Sequence, residues 1–488
     1  MSRPSANGSS TDPDHDRMIQ ILDETPVQTT HRILWFAASG GLLLDGLSIF
    51  MLGIAIPLFV RDLGFSSFDI SLASAALLLG AVVGAALGGR LSDAWGRRVM
   101  LRINAIVFLI AAVICAATSE KDLVISGQLL IGMAIGMDFP VGGSAIAECM
   151  PTQSRSRTMV AAIALQSVGM LLGAALTYTL LKLVHGTSIW RFFFVGDAVA
   201  GLIFFLLRSA IPESPRWLMA HGRNREAARS IRWLVRGRDI ELDAIAERLG
   251  KKVHRVVKPL FTNHPLGFRT LFDTAYRKRM YLATIPWILL DVAAYGVGLF
   301  TAVLLLALHL SGRAASDGTG SLALLVARSA VIDSSLLIGF VAGWYTIPRL
   351  GAIRMQMIGF SGMLVGLLFL MAAQLFAMTS VRILVIVSGF MLFNLSMNMG
   401  PNSTTYLLPA ELYPTNIRGT GSGFSASLAK IGATLGVFLI PLLQQDNGVE
   451  SVFLFLFVTT LLGLFVTWRY RLKGLGRRLE AHHGPDMP

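Results

Sequence analysis

Charge is scarce in this chain. Asp, Glu, Lys and Arg make up 15% of its 488 residues, against roughly 25% in an ordinary soluble domain. Cysteine is scarcer still, with Cys115 and Cys149 alone, which excludes a disulfide-stapled secreted module. Both sit in or beside apolar runs and read as small hydrophobes. His-Glu-x-x-His, clustered His/Cys ligands and Gly-x-x-x-x-Gly-Lys-Ser/Thr are all missing. The sequence therefore offers no catalytic or metal constellation and no ATP-driven engine, and no enzyme activity, metal or cofactor is expected. A charged leader followed by a short apolar stretch and a cleavage site is missing as well. Residues 1–32 are polar, include Asp12, Asp14, Asp16, Asp23 and Glu24, and read as a disordered cytoplasmic tail.

What abounds is apolar sequence: 54% of residues are hydrophobic, and mean hydropathy is +0.63. A soluble core cannot absorb this much. A spanning helix needs about 20 apolar residues, so twelve spans would use roughly half of the chain. The fold class is an all-α membrane protein, with expected spans at 33–60, 70–89, 99–117, 123–147, 158–184, 190–211, 280–309, 321–347, 353–378, 382–409, 419–443 and 450–470.

The net charge of +13 raises nucleic acid as a partner. The basic residues collect between apolar runs, however, so the bilayer is the expected partner and nucleic acid is not. The second, fourth, eighth and tenth connections carry Arg90, Arg97, Arg98, Arg155, Arg157, Arg349, Arg354 and Arg418. The odd-numbered connections carry Arg61, Lys121 and Arg313. Positive residues gather on the cytoplasmic side, which places both termini there, in a plasma membrane or bacterial inner membrane.

The chain divides into two six-helix halves, 33–211 and 280–470. Between them lies a basic cytoplasmic linker, 212–279, with sixteen Lys and Arg against seven Asp and Glu. Amphipathic helices are expected in it, and binding to anionic headgroups is a further possibility. Residues 471–488 form a second cytoplasmic tail. An internal repeat supports the halves: Ala147–Arg155 and Ala410–Arg418 share the pattern A-E-x-x-P-T-x-x-R. Repeated halves are a transporter trait, with the substrate site at their interface near the midplane.

Gly89, Asp93, Gly96, Arg97 and Arg98 form a Gly-x-x-x-Asp-x-x-Gly-Arg-Arg loop between spans two and three. It resembles the loop motif of the major facilitator superfamily, and with it Glu148, Arg155, Glu411 and Arg418 are expected in the gate. An ordinary positive-inside loop would give the same orientation signal. The matching second-half loop, Pro348 to Arg354, lacks the acid and the paired arginines, so that half-gate is expected to be weaker. Pro212-Glu213-Ser214-Pro215-Arg216 is similar to a segment of sugar-porter-related members.

A charge at the bilayer centre costs about 2.5–3.5 kcal/mol on insertion scales. Asp45, Asp138, Asp291 and Lys430 all fall deep inside their expected spans. Two readings stand: an ion-paired packing element, or a substrate and proton site. Arg102, Lys182, Arg191, Arg208, Arg382 and Arg469 lie near span ends and are expected to snorkel. Arg328, Asp333 and Asp197 have no assigned role.

Four stretches, Gly136–Pro140, Trp287–Gly296, Gly400–Tyr406 and Ser427–Ala433, together resemble the phosphate:proton symporters of that superfamily. The resemblance implies a monomeric alternating-access carrier of a small anion, phosphate favoured, with protons. It implies contacts from Trp287, Asp291, Tyr295, Asn402 and Lys430, with Asp138 and Gln166 opposite. It gives Asp45 the proton, with Asp138 and Asp291 also in proton coupling. Two departures weaken phosphate: Phe139 stands for a usual tyrosine, and Ser48 for a frequent second acid in span one. Span one also looks like that of organic-acid:proton symporters, so an aromatic carboxylate stays open. A sugar or polyol symporter and a transporter-like membrane sensor are the remaining alternatives.

Overall fold

The computed structural model describes residues 13–184, 186–235, 267–307, 335–376 and 380–472, with five positions between 242 and 248. Among these residues every regular element is helical. Helix α1 (Pro13–Glu24) precedes the spans, although these residues read as disordered tail from sequence. Its buried face of Met18, Ile21 and Leu22, at helical spacing, is what the polar composition concealed.

The first half is α2 (Thr29–Leu63), α3 (Ser67–Trp95), α4 (Arg97–Ala117), α5 (Lys121–Cys149), α6 (Thr152–Leu183) and α7 (Trp190–Ala210). Short helices α8 (Pro215–Ala220) and α9 (Asn224–Leu234) open the linker. The second half contains α10 (Thr274–Ala307), α11 (335–350), α12 (Ala352–Ala372), α13 (Ser380–Met397), α14 (Ser403–Leu412) and α15 (Arg418–Arg469). Ten segments of the described residues are long and apolar enough to cross a membrane. Spans seven and eight correspond to α10 and α11. Arg313, Arg328 and Asp333, like the middle of the linker (236–241, 243, 246 and 249–266) and the tail beyond 472, lie outside the described residues.

The two expected spans at 419–443 and 450–470 lie on either side of Gly448 (φ 76°), where the backbone of α15 leaves the helical region and kinks. The tenth span is one continuous body. A π turn at Asn398–Asn402 links α13 to α14 and contains Pro401, whose missing N–H breaks the regular ladder.

The helices turn apolar residues outward. Val195, Val199, Leu202 and Leu206 of α7 are exposed at three- and four-residue spacing, as a lipid-facing stripe requires. The inward faces use small residues. Gly80 and Gly84 of α3 lie against the Leu129 and Met133 carbonyls of α5, and Gly132 and Gly136 of α5 return the contact at Leu77 and Ala81. Such close backbone approach is how spanning helices associate without a hydrophobic drive between them.

The halves mirror each other at one turn. Gly96 (φ 99°) and Gly351 (φ 86°) precede α4 and α12, a backbone region that other residues rarely adopt. The halves meet where α15 packs on α3 and α5, and where α14 packs on α5 and α6.

Candidate functional site

Trp287, Asp291 and Tyr295 succeed one another at four-residue spacing on α10, so they share one face. All three meet Lys430 of α15 or its surroundings. The Lys430 ammonium lies 3.6 Å from the Asp291 carboxylate and donates to the Tyr295 hydroxyl. It also sits 4.4 Å from the Tyr295 ring centroid and 4.6 Å from that of Phe139. Phe139 belongs to α5, so this cation–π contact reaches across from one half to the other. Phe139 packs against Trp287 and Tyr406, with ring centroids 6.2 Å away in each case. The residue that cost the sequence motif a hydroxyl therefore supplies a ring face to the cation.

Asp45 of α2 is buried and accepts a 2.7 Å hydrogen bond from Gln166 Nε2 of α6. Its second oxygen has no hydrogen-bond partner among the described residues. The Lys430 charge acts on Asp45 as well as on Asp291, so one cation serves acids from both halves. Asn402, at the end of the π turn, donates to Asn398 Oδ1 at 2.7 Å.

Asp138 is placed differently from its expected position opposite the cation. Arg208 Nη2 donates to it at 2.8 Å, and the same guanidinium donates to the Ala37 and Leu101 carbonyls. Arg208 is fully buried, which corrects the expectation that it snorkels: α7 continues to Ala210 and turns this side chain inward. Asp197, unassigned from sequence, accepts from Ser48 Oγ at 3.0 Å. Arg208, Phe139 as a lining ring, and Tyr406 were not found by sequence reasoning. The position of Arg208 near a span end carried no signal of its inward direction.

The basic end of the molecule is closed. Arg97 of α4 grips Glu148 of α5 through two hydrogen bonds of 3.1 and 2.8 Å, and pairs with Asp93 at 3.0 Å. Arg97 also reaches the Thr415 carbonyl of the other half. Arg418 comes from that half to the same Glu148 at 2.8 Å. Asp93 accepts from the Gly419 and Thr420 amides and the Thr420 hydroxyl, at 3.0, 2.7 and 2.8 Å. These amides open α15, where a carboxylate is favoured by the free N–H groups and the helix dipole. A Cβ on Gly89 would overlap the Gly419 carbonyl and approach Gly423, so the loop motif's first glycine is needed for closure.

The Pro212–Arg216 segment belongs to this cluster. Ser214 caps α8 and donates to Glu148 at 2.6 Å. Glu213 accepts from the Arg97 and Arg98 amides. Burial lifts the Glu213 carboxyl above the usual carboxylate range, against the pull of the Ser214, Arg98 and Arg97 amides. Arg98 also holds the Ser209 carbonyl. Arg155 and Arg216 both pair with Asp23 of α1, at 3.2 and 2.6 Å. Glu411 is buried and acts on Arg155 and Arg418 at longer range.

The family model described as "Sugar (and other) transporter" matches residues 28–481. Among curated proteins, the "Inner membrane metabolite transport protein YgcS" of Escherichia coli (strain K12) is 26% identical over 457 residues, covering 92% of each chain. The "Inorganic phosphate transporter 1-11" of Oryza sativa subsp. japonica is 27% identical over 452 residues, covering 84% of this chain and 77% of that protein. Among solved structures, the major facilitator superfamily proton:xylose symporter XylE aligns with a TM-score of 0.73 at 20% identity, over 93% of this chain and 99% of that one.

Proposed function

The chain belongs to the sugar (and other) transporter family, within the major facilitator superfamily, and from that premise we propose that it is a proton-coupled symporter of a small anion. The observation that carries this reading is Lys430. It is a buried cation held between the halves by Asp291, Tyr295 and the Phe139 ring. A neutral sugar would have no need of that charge. An anion entering beside Lys430 competes with Asp291 for it. Asp291 must then take a proton or turn away, which ties binding to proton uptake. Asp45, with Gln166 as its one hydrogen-bond partner, is the leading proton carrier. The basic closed face is the cytoplasmic one in this reading, as the positive-inside pattern requires.

Phosphate leads among anions. It is supported by the four matching stretches and by a relative named as an inorganic phosphate transporter. A second reading has its own observation. The Phe139 and Tyr295 rings face the cation, and Trp287 and Tyr406 pack on Phe139, an aromatic lining that suits an organic anion with an aromatic body better than a fully hydrated oxyanion.

The test is equilibrium binding of phosphate, benzoate and xylose to purified protein and to its Lys430→Ala and Asp291→Asn variants across pH. Lys430→Ala is expected to lose anion binding, and Asp291→Asn to keep binding with a weaker pH dependence. Unchanged anion affinity in Lys430→Ala, or binding of xylose alone, would overturn the assignment.

A further inference from the structure

Asp197 is a carboxyl that the transport reading above leaves unused. It is the eighth residue of α7, and is 1% exposed. Ser48 Oγ of α2 donates to its Oδ1 at 3.0 Å, and its Oδ2 has no hydrogen-bond partner among the described residues. Among the described residues no Lys, Arg or His comes within ion-pairing distance of it. The other acids in the spans differ. Asp138 has Arg208, Asp291 has Lys430, and Asp45 has the Gln166 amide and the field of Lys430.

A lone carboxylate with one neutral partner, in a low-dielectric interior, is costly unless it binds a proton. The titratable groups around Asp197 are few. From α4 the buried Cys115 thiol lies within electrostatic range of it, its sulfur turned to the Val124 carbonyl of α5. On α2, Ser48 contacts it, and Asp45 is three residues away and on the same side of the helix. A structural hydrogen bond alone would be met by an amide or a hydroxyl at this position, without a group that can ionise.

We propose that Asp197 is a second proton-carrying carboxyl of the coupling machinery, presented by α7 to Ser48 one helical turn from Asp45. Loading forms an O–H bond at the open Oδ2, with a proton drawn from the aqueous side opposite the closed basic face. Release breaks that bond and leaves a carboxylate to which Ser48 still donates. No electron transfer is involved, and the proton returns to water on the far side. Span one thus needs one acid of its own, because the second is lent by span six across a 3.0 Å contact.

This inference rests on proton-coupled transport, so the experiment separates the two. Full-length protein is reconstituted in vesicles, and uptake of radiolabelled phosphate and of benzoate is measured with and without a pH gradient. Counterflow at equal pH is measured alongside. The variants are Asp197→Asn, Ser48→Asp and the two together. In Asp197→Asn, accumulation driven by the gradient is expected to fall to the equilibrium level while counterflow remains. The double variant, which moves the acid across the contact to α2, is expected to recover accumulation. Infrared difference spectra recorded across pH give a readout that needs no substrate. A titrating protonated-carboxyl band should vanish in Asp197→Asn and return in the double variant.

Undiminished accumulation in Asp197→Asn, or an unchanged infrared titration, overturns the role of Asp197 and leaves symport standing. A loss of counterflow that matches the loss of accumulation, with no recovery in the double variant, marks a packing role and also overturns it. Absence of gradient-driven uptake in the unaltered protein removes both readings.

Discussion

Arg208 shows what the residue scale adds to a sequence. The depth of Asp45, Asp138, Asp291 and Lys430 was legible because a charge inside a span is expensive and must have a reason. The pairing of Asp291 with Lys430 was expected and is present; the partner of Asp138 was not legible, since its pair with Arg208 joins positions 70 residues apart, and nothing in a single sequence gives that distance. The consequence is chemical. Protonating Asp138 would strand a fully buried guanidinium, so Asp138 is expected to stay ionised as a fixed counter-charge and not to carry the coupled proton. Replacing one member of such a pair costs about 3–5 kcal/mol, mostly by isolating the other. Arg208→Leu is therefore expected to lose about that much unfolding free energy, and Arg208→Leu with Asp138→Leu to recover most of it. Denaturation of the purified variants measures both. Retained stability in the single variant would show that the pair does not constrain Asp138.

Helices were legible one by one, and their unions were not. Runs of about 20 apolar residues announce spans. The break at Gly448 falls in the gap expected between the last two spans, but the π turn at Asn398–Asn402 depends on local backbone geometry that hydropathy does not encode. Helix α1 was missed for a different reason: its partners are remote. Asp23 reaches Arg155 and Arg216, 132 and 193 positions away, and Met18, Ile21 and Leu22 pack beneath the gate. Closing the halves brings Arg418 into the field of Arg216, Arg97 and Arg155. Asp23 offsets two of those three charges, so α1 should favour the closed basic face. A cysteine-free protein carrying Ser427→Cys tests this, because Ser427 bonds the Val82 carbonyl across the halves. Asp23→Asn and Ile21→Asp are expected to speed its alkylation several-fold, and Asp23→Glu is not. Equal rates in all of them would leave α1 with no influence on closure.

At the scale of the molecule, the repeat of A-E-x-x-P-T-x-x-R suggests a division into halves, and the loop motif suggests a gate at the basic face. What the repeat concealed is how unequal its two copies are. Glu148 of the first copy pairs with Arg97 of its own half and Arg418 of the other, and Ser214 adds a third donor. Glu411 of the second copy faces its arginines only at longer range, and the Pro348–Arg354 loop lacks the acid and the paired arginines of its first-half counterpart. Closure of the basic face thus hangs on the first copy. Spin labels at the exposed Arg90 and Arg354, one on each half, can read it by pulsed dipolar distance measurement. In Glu148→Gln the carboxylate that both arginines share is gone; Arg97 keeps Asp93, while Arg418 is left buried beside like charges. A longer distance, from an open basic face, is expected to become the main population. Glu411→Gln removes no close ion pair, so its distance distribution should move much less. The same two positions, as single cysteines, fix the orientation: an impermeant reagent should reach them only from the cytoplasmic side. Equal shifts in the two glutamine variants would mean that both copies lock the gate, and labelling from outside would invert the molecule in its membrane.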